Sequence, residues 1–173
     1  MTEFTSVIVA GIGNTLMQDD GIGVWTVQAI ARDYVLPPWV RLIEGGVLGM
    51  QLVHELRSAE QLLIIDAMNG GQAPGTIYRL DANVLLKGRR MIMSLHEVGL
   101  TDVLSVGELL GWRPRTRIVG VQPLEVQSPG LDLTPTLQAV LPRVVCAAME
   151  ELGYMGVHAT DQRRSEPFER SCA

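Results

Sequence analysis

Three acidic side chains and one histidine stand where predicted strands end or a helix begins. Asp20 lies in the connection after the first apolar run, Glu44 follows the second, and Asp66 directly follows the third, Gln61–Ile65. His96 precedes a predicted helix. Because open α/β sheets build their sites beyond the carboxyl ends of the strands, we expect these groups to meet at one edge. Two carboxylates and one imidazole form an O, O, N ligand set that suits a divalent metal such as nickel or zinc.

Each of these residues also has a purely structural interpretation. Asp19 and Asp20 suit the start of the following helix, where acidic side chains complement the helix dipole. Asp66 would then be a turn residue, and His96 would be a residue at a helix start. The expected convergence at one edge favours the functional interpretation, because it explains several residues at once.

Other signatures of catalysis or cofactor binding are weak. Gly11-x-Gly13 after the first strand resembles a dinucleotide fingerprint, but Leu16 stands where the third glycine is required. Asp19 and Asp20 would also repel a pyrophosphate at the helix start. The sequence contains neither a Walker A motif nor a G-x-S-x-G nucleophile elbow. We therefore expect no nucleotide cofactor and no serine triad.

The elements that must position these residues follow from the apolar pattern. Five short apolar runs predict strands, at residues 6–10, 40–43, 61–65, 76–80 and 116–121. Only ten residues, 66–75, separate the third run from the fourth. Because a helical crossover needs a dozen residues or more, we expect the fourth strand to be antiparallel and at an edge of the sheet.

Helical periodicity fills the stretches between the strands. The last helix has the clearest start, since Thr134 is a favourable N-cap and Pro135 suits the first helical position. Strands that alternate with helices predict an α/β fold. We expect a three-layer α/β/α sandwich around a mostly parallel, twisted sheet of about five strands, one of them antiparallel.

Composition and charge restrict the class of protein. The chain has 173 residues, of which 47 % are hydrophobic, and its net charge is −5. These values predict a single folded domain over residues 1–157 and argue against general nucleic-acid binding. Residues 158–173 are polar and without pattern, and we expect a disordered tail there. Signal-peptide and membrane-spanning patterns are not seen, so we expect a cytoplasmic protein.

Four blocks of the sequence together resemble the signatures of one known family. In chain order they are Gly11–Gly23, Leu62–Ala67 with Ala73–Thr76, Ser94–Leu100 with Val103–Leu104, and Gly120–Pro123 with Leu133–Pro135. They are similar to those of [NiFe]-hydrogenase maturation endopeptidases, and they extend over most of the chain, from about Val7 to Val145.

This resemblance implies a function and a set of site residues. Enzymes of that family remove a C-terminal extension from the large-subunit precursor of the hydrogenase after nickel has been inserted. The family's nickel-recognising residues correspond to Asp20, Asp66 and His96, and we assign Asp20 and Asp66 as catalytic residues as well. Nickel would be supplied by the substrate. The expected partner is the precursor, with no nucleic acid and no membrane, and the expected state is a monomer.

The sequence departs from the family pattern at two places. Asp20 stands where relatives often have glutamate, whose side chain is one methylene longer. Glu44-Gly45-Gly46-Val47 replaces an Asp-Gly-Gly-Thr pattern in a loop that is expected to flank the cleft. The general base is left open, and Glu44 and Asp19 are further candidates for it.

Two other classes of function use the same residues. In a metal-independent, aspartic-type peptidase, Asp20 and Asp66 would share one proton. In a non-catalytic nickel-sensing or chaperone module, Asp20, Asp66 and His96 would bind the metal without cleaving a peptide bond. Activity in the presence of a chelator would favour the first class, and absence of any cleaved product would favour the second.

Overall fold

The computed structural model describes residues 6–47, 51–82, 93–94, 104–162 and 166–167. Its strands are β1 (Val7–Ile12), β2 (Tyr34–Val35), β3 (Val40–Gly46), β4 (Gln61–Asn69), β5 (Ile77–Asp81), β6 (Met93–Ser94), β7 (Arg115–Val121), β8 (Thr160–Asp161) and β9 (Glu166–Pro167). Its α-helices are α1 (Ile22–Asp33), α2 (Gln51–Leu56), α3 (residues 104–109) and α4 (Pro135–Tyr154). A short 3-10 helix, called the short helix below, spans Gln18–Gly21.

The main sheet has the strand order β3-β1-β4-β7-β5. Strands β3, β1, β4 and β7 run parallel to one another, while β5 is antiparallel to β7 and occupies an edge. The prediction of a mostly parallel sheet with an antiparallel edge strand is therefore confirmed. The ten-residue connection before β5 explains this geometry, because so short a segment turns back beside the sheet instead of crossing over it. Strand β6 adds a short antiparallel pairing with β4 that the sequence analysis did not predict.

Helices cover both faces of the sheet. Leu63 and Ile65 of β4 pack on one face with residues of α1 and α4, including Ile30 and Leu137. The alternate residues of β4 pack on the other face, where the apolar cluster contains Leu62, Ile64, Leu56 of α2 and Leu104 of α3. Side chains of a strand point alternately to its two faces, so a strand buried on both faces reads as a continuous apolar run. The predicted three-layer α/β/α sandwich is confirmed.

Two strands extend further than their apolar runs. The apolar pattern predicts that Asp66 and Glu44 each directly follow a strand, whereas Asp66 lies within β4 and Glu44 within β3. Asp66 pairs with Gly120 of β7, and β4 continues to Asn69. The backbone finds ladder partners beyond the last apolar residue, which the side-chain pattern does not reveal.

The beginning of α4 agrees with its sequence signal. The hydroxyl of Thr134 accepts a hydrogen bond from the backbone N–H of Leu137 at 3.4 Å, and Pro135 occupies the first turn. Among the described residues, no helix combines the length and the apolar character needed to cross a membrane.

The fold continues past residue 157, where the domain was expected to end and the polar tail to begin. Strand β8 pairs antiparallel with β2, and β9 pairs with β8. Ala159 and Asp161 are buried. Two-residue strands leave no periodicity that a sequence pattern can show, which is why this small second sheet was not predicted.

Candidate active site

The connection from β1 to α1 is packed so closely that it requires glycines. A Cβ atom on Gly23 would lie 2.1 Å from the carbonyl oxygen of Ile65, and one on Gly13 would lie 1.8 Å from that of Asp20. Gly13 also has a φ of +131°, which other residues rarely adopt. Gly13 of the motif that resembled a nucleotide fingerprint therefore packs against the backbone of Asp20, while Gly23 seats the start of α1 against β4 at Ile65, the residue before Asp66.

Asp20 lies in the short helix that precedes α1. Its side chain is only 8 % exposed, and its Oδ2 accepts a hydrogen bond from the backbone N–H of Asn14 at 2.9 Å. This bond links the carboxylate to the β1–α1 loop and restricts its orientation. The short helix packs against β4, the strand that carries Asp66.

Asp66 is completely buried, with 0 % of its surface exposed. It pairs across the sheet with Gly120 of β7, and its position in β4 alternates with those of Ile65 and Ala67, which pack towards α1 and α4. Burying a carboxylate is costly unless polar partners compensate, so a buried acid at this point of a core strand is a candidate for a functional role. The structure thus places two buried carboxylates on elements that contact each other at the carboxyl edge of the sheet.

The third predicted ligand, His96, lies outside the described residues. Within the described ranges, no group of three His, Cys, Asp or Glu side chains is arranged to hold a metal ion. The joint role of Asp20, Asp66 and His96 in nickel recognition therefore stays a prediction.

Asp19 proves to be a structural anchor. It is completely buried, and its Oδ2 accepts hydrogen bonds from the backbone N–H groups of Leu124 and Glu125, at 3.0 and 3.1 Å, and from the hydroxyl of Thr134 at 3.0 Å. Its Oδ1 accepts a fourth bond, from the backbone N–H of Thr134 at 2.8 Å. With both oxygens engaged, Asp19 is poorly placed to act as the general base for which it was a candidate.

The side chain of Glu44, the other candidate base, lies on the opposite face of the sheet from that of Asp66. Its side chain is exposed, and its Oε2 accepts a hydrogen bond from Nε2 of Gln28 on α1 at 2.9 Å. Glu44 and Ile65 both pair with Gly11 of β1, so their side chains point to the same face of the sheet, the one covered by α1. Asp66 is the next residue along β4, and its side chain points to the other face. The structure does not bring Glu44 and Asp66 together.

Gln122 is a polar residue of this edge to which the sequence analysis gave no role. It is 8 % exposed, and its Oε1 accepts hydrogen bonds from the backbone N–H of Gly70 and from the hydroxyl of Tyr78, both at 2.9 Å. It therefore ties together the segments that follow β4 and β7 and the edge strand β5. The sequence indicates Gln122 only by its position, directly after a buried strand and within the fourth family-like block.

Comparison with known proteins agrees with this fold. The family model of hydrogenase maturation proteases matches residues 24–151. Hydrogenase 2 maturation protease of Escherichia coli K12 is 35 % identical over 155 residues, which are 88 % of this chain and 94 % of that protein. The hydrogenase expression/formation protein HupD of Rhodobacter capsulatus is 35 % identical over 158 residues, covering 89 % of this chain and 74 % of HupD.

The fold of a solved relative matches over nearly the whole chain. The hydrogenase maturating endopeptidase HybD from E. coli superposes with a TM-score of 0.84 at 33 % identity, covering 93 % of this chain and 100 % of HybD. The chain therefore belongs to the hydrogenase maturation protease family and is an endopeptidase.

Proposed function

We propose that this endopeptidase removes the C-terminal extension of a [NiFe]-hydrogenase large-subunit precursor, and that it acts only on the precursor that already contains nickel. Family membership supports the hydrogenase as the source of the substrate. The observation that carries the proposal is the burial of Asp66 in β4 beside the short helix that holds Asp20. A cytoplasmic location and a monomeric state stay predictions.

Nickel acts in this proposal as part of the substrate. Asp20, Asp66 and His96 supply two carboxylates and one imidazole, a donor set that suits a divalent ion such as nickel. Three ligands from separate segments leave coordination positions for groups of the precursor. The metal would bring the scissile peptide to the carboxylates, so that recognition of nickel and placement of the bond are one event.

We expect the general base to be one of the two carboxylates Asp20 and Asp66. Asp19 is occupied by four hydrogen bonds, and Glu44 belongs to the opposite side of the sheet. Of the acids named as candidates, Asp20 and Asp66 then remain to take a proton from the attacking water. The non-catalytic nickel-sensing alternative does not agree with membership of a peptidase family, whereas the aspartic-type alternative uses this same pair.

Variants of the three residues test the proposal. Asp20→Asn, Asp66→Asn and His96→Ala should each slow processing of the nickel-loaded precursor by at least about 100-fold, the usual range for loss of an acid–base group. His54→Ala is the matched control, because His54 is exposed on α2 and should process at the parent rate. Intact-mass measurement follows the product, and a thermal melt of each variant shows that it is folded.

The activities of the three variants distinguish the proposed nickel-recognising site from an aspartic-type mechanism. A folded Asp66→Asn or His96→Ala variant that processes at the parent rate contradicts the proposed site. Loss of activity in both aspartate variants with full activity in His96→Ala would indicate the aspartic-type mechanism. In that case a chelator should leave processing by the parent protein unchanged.

A further inference from the structure

Three large apolar side chains are exposed around the carboxyl edge of the sheet. They are Leu16 at 60 %, Leu124 at 55 % and Leu131 at 70 % exposure, and together they are called the apolar rim below. Single exposed leucines are common in folded proteins, but a group around one site often marks a binding surface. The three leucines can form one binding surface only if the segments that carry them are joined to one another and lie beside the site.

Backbone hydrogen bonds join the segments that carry the apolar rim. The N–H of Gly130, next to Leu131, donates to the carbonyl of Leu16 at 3.0 Å, and the N–H of Gln18 donates to the carbonyl of Gly130 at 3.1 Å. The N–H of Leu124 donates to the buried carboxylate of Asp19. All three leucines are thus attached to the short helix, the element that contains Asp20.

The loop that carries Leu124 and Leu131 is internally organised. Oε1 of Glu125 accepts hydrogen bonds from the backbone N–H groups of Gln127 and Ser128, at 2.7 and 3.1 Å. These bonds favour the charged carboxylate and lower the pKa of Glu125. Asp19 fixes both ends of the loop, at Leu124 and at Thr134. Leu124 and Leu131 are therefore presented on a loop that is already ordered, which reduces the entropy lost when a partner binds.

We propose that the apolar rim binds apolar side chains of the large-subunit precursor close to the bond that is cleaved. This inference rests on the proposed function, since the precursor is the protein chain that must reach this edge. Continuity with the catalytic edge identifies the occupant, because the loops of Leu16, Leu124 and Leu131 are hydrogen-bonded to the short helix that contains Asp20 or directly precede it. The three side chains are uncharged and burial of apolar surface needs no metal. Docking on the rim is thus independent of nickel, whereas cleavage depends on it.

Binding measurements on matched leucine variants test this inference. The variant carrying Leu124→Ser with Leu131→Ser loses two exposed leucines of the apolar rim. The control carries Leu109→Ser with Leu110→Ser, which removes two leucines that are 86 % and 72 % exposed at the end of α3, away from the site. Calorimetric titration gives the Kd of the full-length protein for the nickel-loaded and the nickel-free precursor. A thermal melt of each variant shows that its fold is intact.

The apolar rim variant should bind both forms of the precursor at least about tenfold more weakly, because two leucines no longer bury apolar surface. The control should bind within about twofold of the parent protein, as expected for surface changes far from the contact. An unchanged Kd in the apolar rim variant, or an equal loss in the control, overturns the inference. If the apolar rim variant weakens binding as expected but the parent protein cleaves both forms equally, the nickel-gated function fails while the docking surface stands. Absence of any binding by the parent protein overturns both.

Discussion

Two buried carboxylates at opposite ends of the sheet are stabilised in different ways. Glu151 on α4 is 2 % exposed and lies near the amino ends of the strands, where Nε of Arg117 contacts it at 2.9 Å and Nη1 of Arg79 at 3.9 Å. Asp19, at the carboxyl edge, is completely buried and accepts hydrogen bonds from three backbone N–H groups and one hydroxyl. The charge of Glu151 is neutralised by two arginines, whereas Asp19 is held by uncharged N–H and O–H donors.

The difference determines which ligand each end of the sheet favours. Near Glu151, a cleft of about 500 Å³ is lined by Arg79, Arg115 and Arg117, together with Tyr154 and Met155. Arginine side chains there repel a divalent cation. At the carboxyl edge, the dipoles that hold Asp19 do not cancel its negative charge, and Asp20 and Asp66 add two more carboxylates nearby. That edge is therefore the end of the molecule whose charge favours a metal-bearing substrate, as the proposed function requires.

The largest expected effect of a single substitution comes from Asp19→Ala. Four donors lose their acceptor, and each buried donor left unsatisfied costs about 1–3 kcal/mol. We expect at least about 3 kcal/mol lower free energy of unfolding, and a Tm lower by about 6–12 °C. Processing should also fall, because the short helix and the loop that carries Leu124 lose the side-chain hydrogen bonds that join them. Thermal melts and the mass-based processing assay measure both effects, and a parent-like Tm would show that Asp19 is not an anchor.

A smaller effect is expected at the other end of the sheet, for Glu151→Gln. Arg79 and Arg117 are about one-third exposed, so water solvates their charges when the carboxylate is lost. We expect a loss of about 1–2 kcal/mol in the free energy of unfolding and processing within about twofold of the parent. If Glu151→Gln instead abolished processing in a folded protein, the assignment of the two ends to different roles would be wrong.

The smallest effect is expected for Glu44→Gln. Its side chain is exposed, and a glutamine can still accept the hydrogen bond from Gln28. The free energy of unfolding should change by no more than about 0.5 kcal/mol, as is usual for surface substitutions. Processing should stay at the parent rate. A folded Glu44→Gln variant without activity would restore Glu44 as a candidate for the general base.

The sequence predicts the sheet better than it predicts the site. The antiparallel edge strand β5 follows from the length of one connection, and the buried strands follow from their apolar runs. The role of Asp19 was not predictable, because its partners lie 105 to 115 residues away along the chain. A local pattern assigns an acid beside a helix start to the helix dipole, and only the folded structure reveals the loop that Asp19 holds.

The extent of β4 shows the same limit. The apolar run ends at Ile65, so Asp66 was placed after the strand, although the ladder continues to Asn69. What extends the strand is the backbone pairing of Asp66 with Gly120 and of Met68 with Ser94. Hydrogen bonding between main chains leaves no mark in the order of side chains.

The rate of cleavage of nickel-loaded precursor relative to nickel-free precursor tests the central claim most directly. Both forms are incubated with the parent protein under the same conditions, and intact-mass measurement follows the loss of the C-terminal extension. We expect complete conversion of the nickel-loaded form and no detectable shortening of the nickel-free form. Equal cleavage of the two forms would contradict the claim that the buried carboxylates of the carboxyl edge recognise nickel in the substrate.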